Sequence, residues 1–267
     1  MATLKEAVAS IKTNPEIRHI VNISGGKDSA ALAIYLKQNY PEIPAEYVFC
    51  DTCCELPETH EYIEQLEGLL GQKIVRLTAL SYLSFREKPG RNPFDLCLKQ
   101  IYSDFLPSPR SRWCTRVLKI KPFEKYVGDA SVFSYIGIRG DEDREGYKAN
   151  KSPKLSQQPN IIPIYPFKDD VVTLIDVKRI LAESGLGLPS YYKWRSRSGC
   201  YFCFYQRIGE WQGLLENHPD LFEKAKKYEK GEFSWNEDRT LEEIAQLSQR
   251  YEVPSADDVE GCAICHL

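Results

Sequence analysis

Residues 18–29 read RHIVNISGGKDS, and the fold turns on how this stretch is read. An apolar run, residues 19–23, leads into Ser24-Gly25-Gly26-Lys27-Asp28-Ser29, and residues 30–36 go on with helical spacing. That pattern predicts a strand, a tight turn and the start of a helix. Two adjacent glycines let the backbone reach φ > 0 and approach a ligand where any Cβ would block it. Amides at a helix start have no intrahelical partner, so with the helix dipole they converge on an anion. Lys27 adds a point charge, and Ser24 and Ser29 add hydroxyls. A phosphate cradle is expected, and the plainer alternative is a strand-to-helix turn with a capping serine. The mononucleotide P-loop is excluded, because Asp28 follows Gly26-Lys27 where Ser or Thr is needed, and GxGxxG does not match either.

The chain alternates outward from this turn. Residues 4–12 read as an amphipathic helix closed by Asn14-Pro15, and residues 45–50 as a second strand ending in Asp51-Thr52. Pro57 and Glu58 open a helix over 57–70, and a third strand spans 73–77. This βαβαβ order predicts an α/β fold with a doubly wound parallel sheet and ligands at the carboxyl ends of its strands. A helix is expected over 92–103, a strand over 131–138, and a run over 161–167 leading to a helix over 171–183. Residues 148–160 read as a loop over the site. The segment 191–206, YYKWRSRSGCYFCFYQ, is aromatic and basic and carries Cys200-x-x-Cys203. Helical patterns follow over 209–216, 219–230 and 241–251, and the tail holds Cys262-x-x-Cys265. The expected division is a nucleotide-binding domain, 1–190, and a helical cysteine-bearing segment, 191–267.

A chain of 267 residues has ample core, and its net charge of −3 gives no global field for nucleic acid. No run reaches the ~18 apolar residues a membrane helix needs. The first 16 residues lack an apolar signal core, which points to the cytosol. Nine cysteines there argue for metal, cluster or redox chemistry over disulfides. Cys50, Cys53 and Cys54 read more simply as buried small hydrophobes or spare thiols. His19, His60 and His218 have no partners at metal spacing.

The densest cationic stretch holds Arg110, Arg112, Arg116, Lys119 and Lys121. Helical spacing would put Arg112, Arg116 and Lys119 on one face. A solvated basic helix is the plain reading; Trp113 and Cys114 within the run favour phosphate contacts and stacking. Gly137-Ile138-Arg139 ends a strand, and Asp141, Glu142 and Asp143 follow as candidates to help hold Mg²⁺.

Together, SGGKDS, DTCCELPET, RWCTRVLKIKP, GIR and SGCYFC resemble the phosphoadenylylsulfate-reductase-like branch of the ATP pyrophosphatase superfamily. Within it the chain looks most like DNA phosphorothioation enzymes of the DndC/SspD type. The resemblance implies an adenine nucleotide α-hydrolase-like fold. It implies ATP at Ser24, Gly25, Gly26, Lys27, Asp28, Ser29, Asp51, Thr52, Gly137 and Arg139, with Cys53 standing where the family usually has Gly. It further implies cleavage of ATP to AMP and pyrophosphate while a DNA phosphate is adenylated for sulfur insertion. Lys27, Asp28, Arg139 and Cys114 would be catalytic, and Arg110 to Lys121 would meet DNA. A cysteine desulfurase and a helicase-like or nicking partner would assist, and an oligomer is compatible. Three arrangements of the cysteines stay open: a [4Fe–4S] cluster on Cys114, Cys200 and Cys203, with the fourth position open or filled from the tail by Cys262 or Cys265; a zinc site on Cys200, Cys203, Cys262 and Cys265; or a free nucleophilic tail cysteine. The rivals are a sulfonucleotide reductase and a non-catalytic nucleotide-sensing subunit.

Overall fold

The computed structural model describes residues 2–83, 92–142, 156, 158–231 and 233–253. Its first half runs α1 (Leu4–Thr13), β1 (Arg18–Ile23), α2 (Lys27–Asn39), β2 (Ala45–Cys50), α3 (Pro57–Leu70), β3 (Ile74–Leu77) and α4 (Pro93–Gln100). Then come α5 (Trp113–Thr115), a π-helical turn (Arg116–Ile120), α6 (Lys121–Val127), β4 (Val132–Tyr135), β5 (Ile161–Ile164), α7 (Pro166–Asp169) and α8 (Leu174–Glu183). A 3₁₀ turn (Ser190–Lys193), α9 (Ile208–Asn217), α10 (Pro219–Lys226) and α11 (Leu241–Ala245) follow.

The strands form one parallel sheet in the order β3-β2-β1-β4-β5. The chain winds outward from β1 to β3, then returns to lay β4 on the other side of β1. The direction of winding therefore changes at β1, and the crevice at such a switch point is where an α/β sheet binds its ligand. His19 to Ile23 are buried throughout, as a strand covered on both faces requires. Val21, Ile23, Phe49, Phe133 and Tyr135 pack with α1, α2, α3 and α8 on one face. Ile20, Val48, Cys50, Val132 and Ile161 pack with Ile120, Phe123 and Val127 on the other.

A second core joins residues far apart in sequence. Leu56, Phe94, Trp113 and Leu118 pack with Tyr191, Phe202, Trp211 and Phe222. Its centre is aromatic: Phe94 lies 4.2 Å from Phe202 and 5.2 Å from Trp113 between ring centroids.

Two expected elements are broken. The run over 161–167 holds a strand only to Ile164, and α7 ends before Val171, whose φ of +53° no helix tolerates. Gly140 explains the break: its amide donates to Val172 O, and a Cβ on it would lie 3.0 Å from the Val171 backbone. The helix restarts at Leu174 on a capping box from Thr173 and Asp176. Among the described residues no helix is long and apolar enough to cross a membrane.

Candidate active site

The expected strand, tight turn and helix start form between β1 and α2. Gly25 has φ +74°, and a Cβ there would meet Thr59 Cγ2 at 2.4 Å, so α3 packs directly on the turn. Hydroxyls engage the loop amides. Ser24 N donates to Ser29 Oγ at 3.0 Å, Gly26 N to Ser24 Oγ at 3.4 Å, and Lys27 N to Tyr192 Oη at 3.4 Å. The acceptors on Gly26 and Lys27, at the start of α2, stand where a helix N-terminus would hold a phosphate oxygen. Tyr191 Oη donates to Gly25 O at 2.8 Å, and Ser198 packs on Gly26. The 3₁₀ turn and the chain after it therefore sit on the loop, a contact with no local pattern to announce it.

The charged residues behind the loop pair with one another. Asp28 receives Arg139 Nη1 at 3.0 Å on one oxygen and faces Lys27 Nζ at 3.4 Å with the other. All three are buried. Arg139 Nε also donates to Asp141 Oδ1 at 3.0 Å, and the Arg139 amide to Glu142 Oε2 at 3.2 Å. Burial alone would lower the Arg139 guanidinium, but Asp28 and Glu142 raise it above its ordinary value. Gly137 brings the end of β4 onto the start of α2: a Cβ there would lie 3.0 Å from Asp28 O. Both oxygens of Asp28 face cations, so as arranged this carboxylate does not fit Mg²⁺. Asp143 lies outside the described residues.

Beside the loop, the end of β2 meets the cysteine turn. Thr52 Oγ1 lies 3.2 Å from Cys200 Sγ and 2.8 Å from Glu55 Oε2. Cys54 O accepts from Tyr201 N at 2.8 Å. Burial pushes the Cys200 thiol well above its ordinary value, Glu55 adds to this, and the Lys119 charge opposes it. Cys53 is exposed with φ +58°, so this turn keeps the left-handed conformation that a glycine would adopt. The Asp51 carboxylate accepts from Cys53 N at 2.7 Å. Arg195, fully buried, donates from Nη1 to Gly199 O at 3.1 Å and from Nη2 to Cys200 O at 2.7 Å. Sequence reasoning missed Glu55, Tyr191, Tyr192, Arg195 and Ser198. Glu55 stood inside the DTCCELPET stretch without being singled out; for the other four the aromatic-basic character of 191–206 was the signal, and it names no residue.

The basic stretch does not keep its expected face. Arg112 is non-helical at φ −84°, ψ +44°, and α5 runs three residues before the π-turn shifts the periodicity. Lys119 is consequently buried, with its charge acting on Glu55 and Cys200. Arg116 pairs with Glu124 at 3.4 Å, while Arg110 and Lys121 are exposed. Cys114 packs against the second core, as Cys200 does. Among the described residues, however, no three His, Cys, Asp or Glu side chains are placed to hold a metal ion. The set Cys114, Cys200 and Cys203 thus does not fit a cluster as arranged, and Cys262 and Cys265 lie outside the described residues. A cleft of about 510 Å³ borders Cys53, Cys54 and Tyr201 and is rimmed by Lys224, Lys227 and Lys230.

Known proteins resemble this chain as follows. It is 27% identical over 212 residues to an uncharacterized protein of Methanocaldococcus jannaschii, covering 77% of this chain and 40% of that one. A second protein of that organism is 26% identical over 225 residues, covering 82% and 49%. The chain thus spans half or less of these two archaeal relatives' length. An uncharacterized 37.8 kDa protein of Escherichia phage 186 is 26% identical over 266 residues, covering 79% and 74%. Among solved structures, phosphoadenylyl-sulfate reductase from Candida auris in a phosphate complex aligns with 72% of this chain and 84% of its own, at 14% identity and TM-score 0.46. The U34-tRNA thiolase NcsA from Methanococcus maripaludis, with its [4Fe-4S] cluster, aligns with 98% and 86%, at 16% identity and TM-score 0.39. Residues 18–213 match the phosphoadenosine phosphosulfate reductase domain, and the chain belongs to that family.

Proposed function

We propose that this protein is an ATP pyrophosphatase that activates a DNA backbone phosphate so that sulfur can replace one of its oxygens, the chemistry of DNA phosphorothioation. One observation carries the reading. The Cys200 thiol lies 3.2 Å from Thr52 at the end of β2, beside the strand that delivers the phosphate loop. Family membership supports the nucleotide, and this contact supports sulfur.

The β- and γ-phosphates of ATP replace the serine and tyrosine hydroxyls at the amides of Gly26 and Lys27. Lys27 and Arg139 stabilise charge developing on the transferring phosphates. A non-bridging oxygen of the acceptor phosphodiester attacks the α-phosphorus, and pyrophosphate leaves. The terminal sulfur of a persulfide on Cys200 then attacks the adenylated phosphorus, and AMP leaves. Cys203, whose amide donates to Cys200 O at 3.1 Å, attacks the Cys200 sulfur. Phosphorothioate departs and a Cys200–Cys203 disulfide remains, which a dithiol reductant returns to two thiols. A cysteine desulfurase supplies the persulfide sulfur, and a helicase-like or nicking partner opens the strand. Arg110, Arg112, Arg116 and Lys121 contact its phosphates. No step runs through a metal cluster.

The test follows labelled ATP and its products with and without single-stranded DNA. AMP and pyrophosphate in equal amounts, stimulated by DNA, are expected. Sulfite formed from phosphoadenylylsulfate, without pyrophosphate from ATP, would assign a reductase instead. Nucleotide binding with no turnover of either would leave a sensing subunit.

A further inference from the structure

Two guanidinium groups lie over one tyrosine ring beside the cysteine turn. Arg197 Cζ is 4.7 Å and Arg112 Cζ 5.6 Å from the centroid of Tyr205. We propose that this Arg112–Tyr205–Arg197 assembly is where an unpaired nucleobase and its flanking phosphate land on the protein. The inference rests on the nucleic-acid acceptor read above and gives it a place.

The chemistry is that of a single-strand platform. Arg197 forms no ion pair among the described residues, which leaves its charge open to an anion. Guanidinium planes and an aromatic ring offer stacking surface to a base, while the N–H forks bind phosphate oxygens. Bases inside a duplex stay stacked and cannot reach a ring, so the ligand is single-stranded.

Position joins the platform to the chemistry. Arg197 directly precedes Ser198, which packs on Gly26 of the phosphate loop. Tyr205 lies two residues beyond Cys203, so the chain holds its Cα within roughly 7 Å of that residue's. The platform is thus tied by short chain segments to both the loop and the thiols. The lysine-rimmed cleft is a weaker track, because Asp95 and Asp104 line it too.

Fluorescence anisotropy with a labelled single strand of about 20 nucleotides tests this. Arg197→Ala and Tyr205→Ala should each weaken binding by roughly tenfold. Tyr205→Phe should keep affinity, and Arg197→Lys should fall between, retaining charge without the plane. The salt dependence of Arg197→Ala should lose about 0.7 of a logarithmic unit per decade, one single-strand phosphate contact. Lys227→Glu in the cleft should weaken binding less than either alanine change, and circular dichroism checks each fold. Wild-type binding that survives both alanine changes overturns the platform alone. Loss in Arg197→Ala with none in Tyr205→Ala overturns base stacking and points to an acidic peptide. A wild-type protein that binds no strand at low salt overturns the platform and the acceptor reading together.

Discussion

At the level of single residues, Gly137 tolerates no side chain without a backbone shift. An added methyl would press on the Asp28 carbonyl at 3.0 Å, and backbone cannot swing away as a side chain can. Gly137→Ala should therefore separate β4 from α2 and lower ATP-analogue affinity by roughly tenfold, read by calorimetry. Arg139→Met should cost about 3 kcal/mol in chemical denaturation, because it removes one of the two cations that face the buried Asp28 carboxylate. Cys53 behaves differently. Its left-handed backbone costs about 1 kcal/mol, so Cys53→Gly should leave the melting temperature unchanged or raise it, while the β-branched Cys53→Val should lower it. Burial, then Asp51 and Glu55, push its thiol up to about 12. It is protonated at neutral pH, and its alkylation should accelerate by roughly tenfold per pH unit from neutrality toward that value, followed by mass spectrometry.

Among the elements, the 3₁₀ turn Ser190–Lys193 matters most, because it seats two tyrosines on the phosphate loop. Tyr191→Phe removes the buried hydroxyl that donates to Gly25 O. The carbonyl is left without that partner, a loss of about 1–2 kcal/mol in unfolding free energy. The turn between β1 and α2 was legible because its signals are local: an apolar run, paired glycines and a helix start within twelve residues. Lys119 shows the limit of such reading. Helical spacing put it on an outer face, but the π-turn moved it inward to Glu55 and Cys200. Spacing predicts a face only while the period holds, and nothing in RVLKI announces the extra residue in the turn.

For the whole molecule, the meeting of Thr52 with Cys200 crosses 148 positions, and periodicity carries no information over that distance. The sheet order was readable from alternation; the packing of the last third against it was not. The second core takes Phe94 and Trp113 from before residue 190 and Tyr191, Phe202 and Trp211 from after it. Chain truncated after residue 190 should thus expose those aromatics, bind a hydrophobic dye and lose its sharp thermal transition, whereas the intact chain should melt in one step. The seating of Tyr191, Tyr192 and Ser198 on the loop also has a kinetic reading. If phosphate takes the Lys27 amide, the Tyr192 hydroxyl must first leave it, so nucleotide association in stopped flow should climb with concentration and then level off at the rate of that release. Because the same stretch of backbone continues into Cys200 and Cys203, each arrival of nucleotide would also reset the position of the sulfur, making the order of substrate binding a property of the backbone itself.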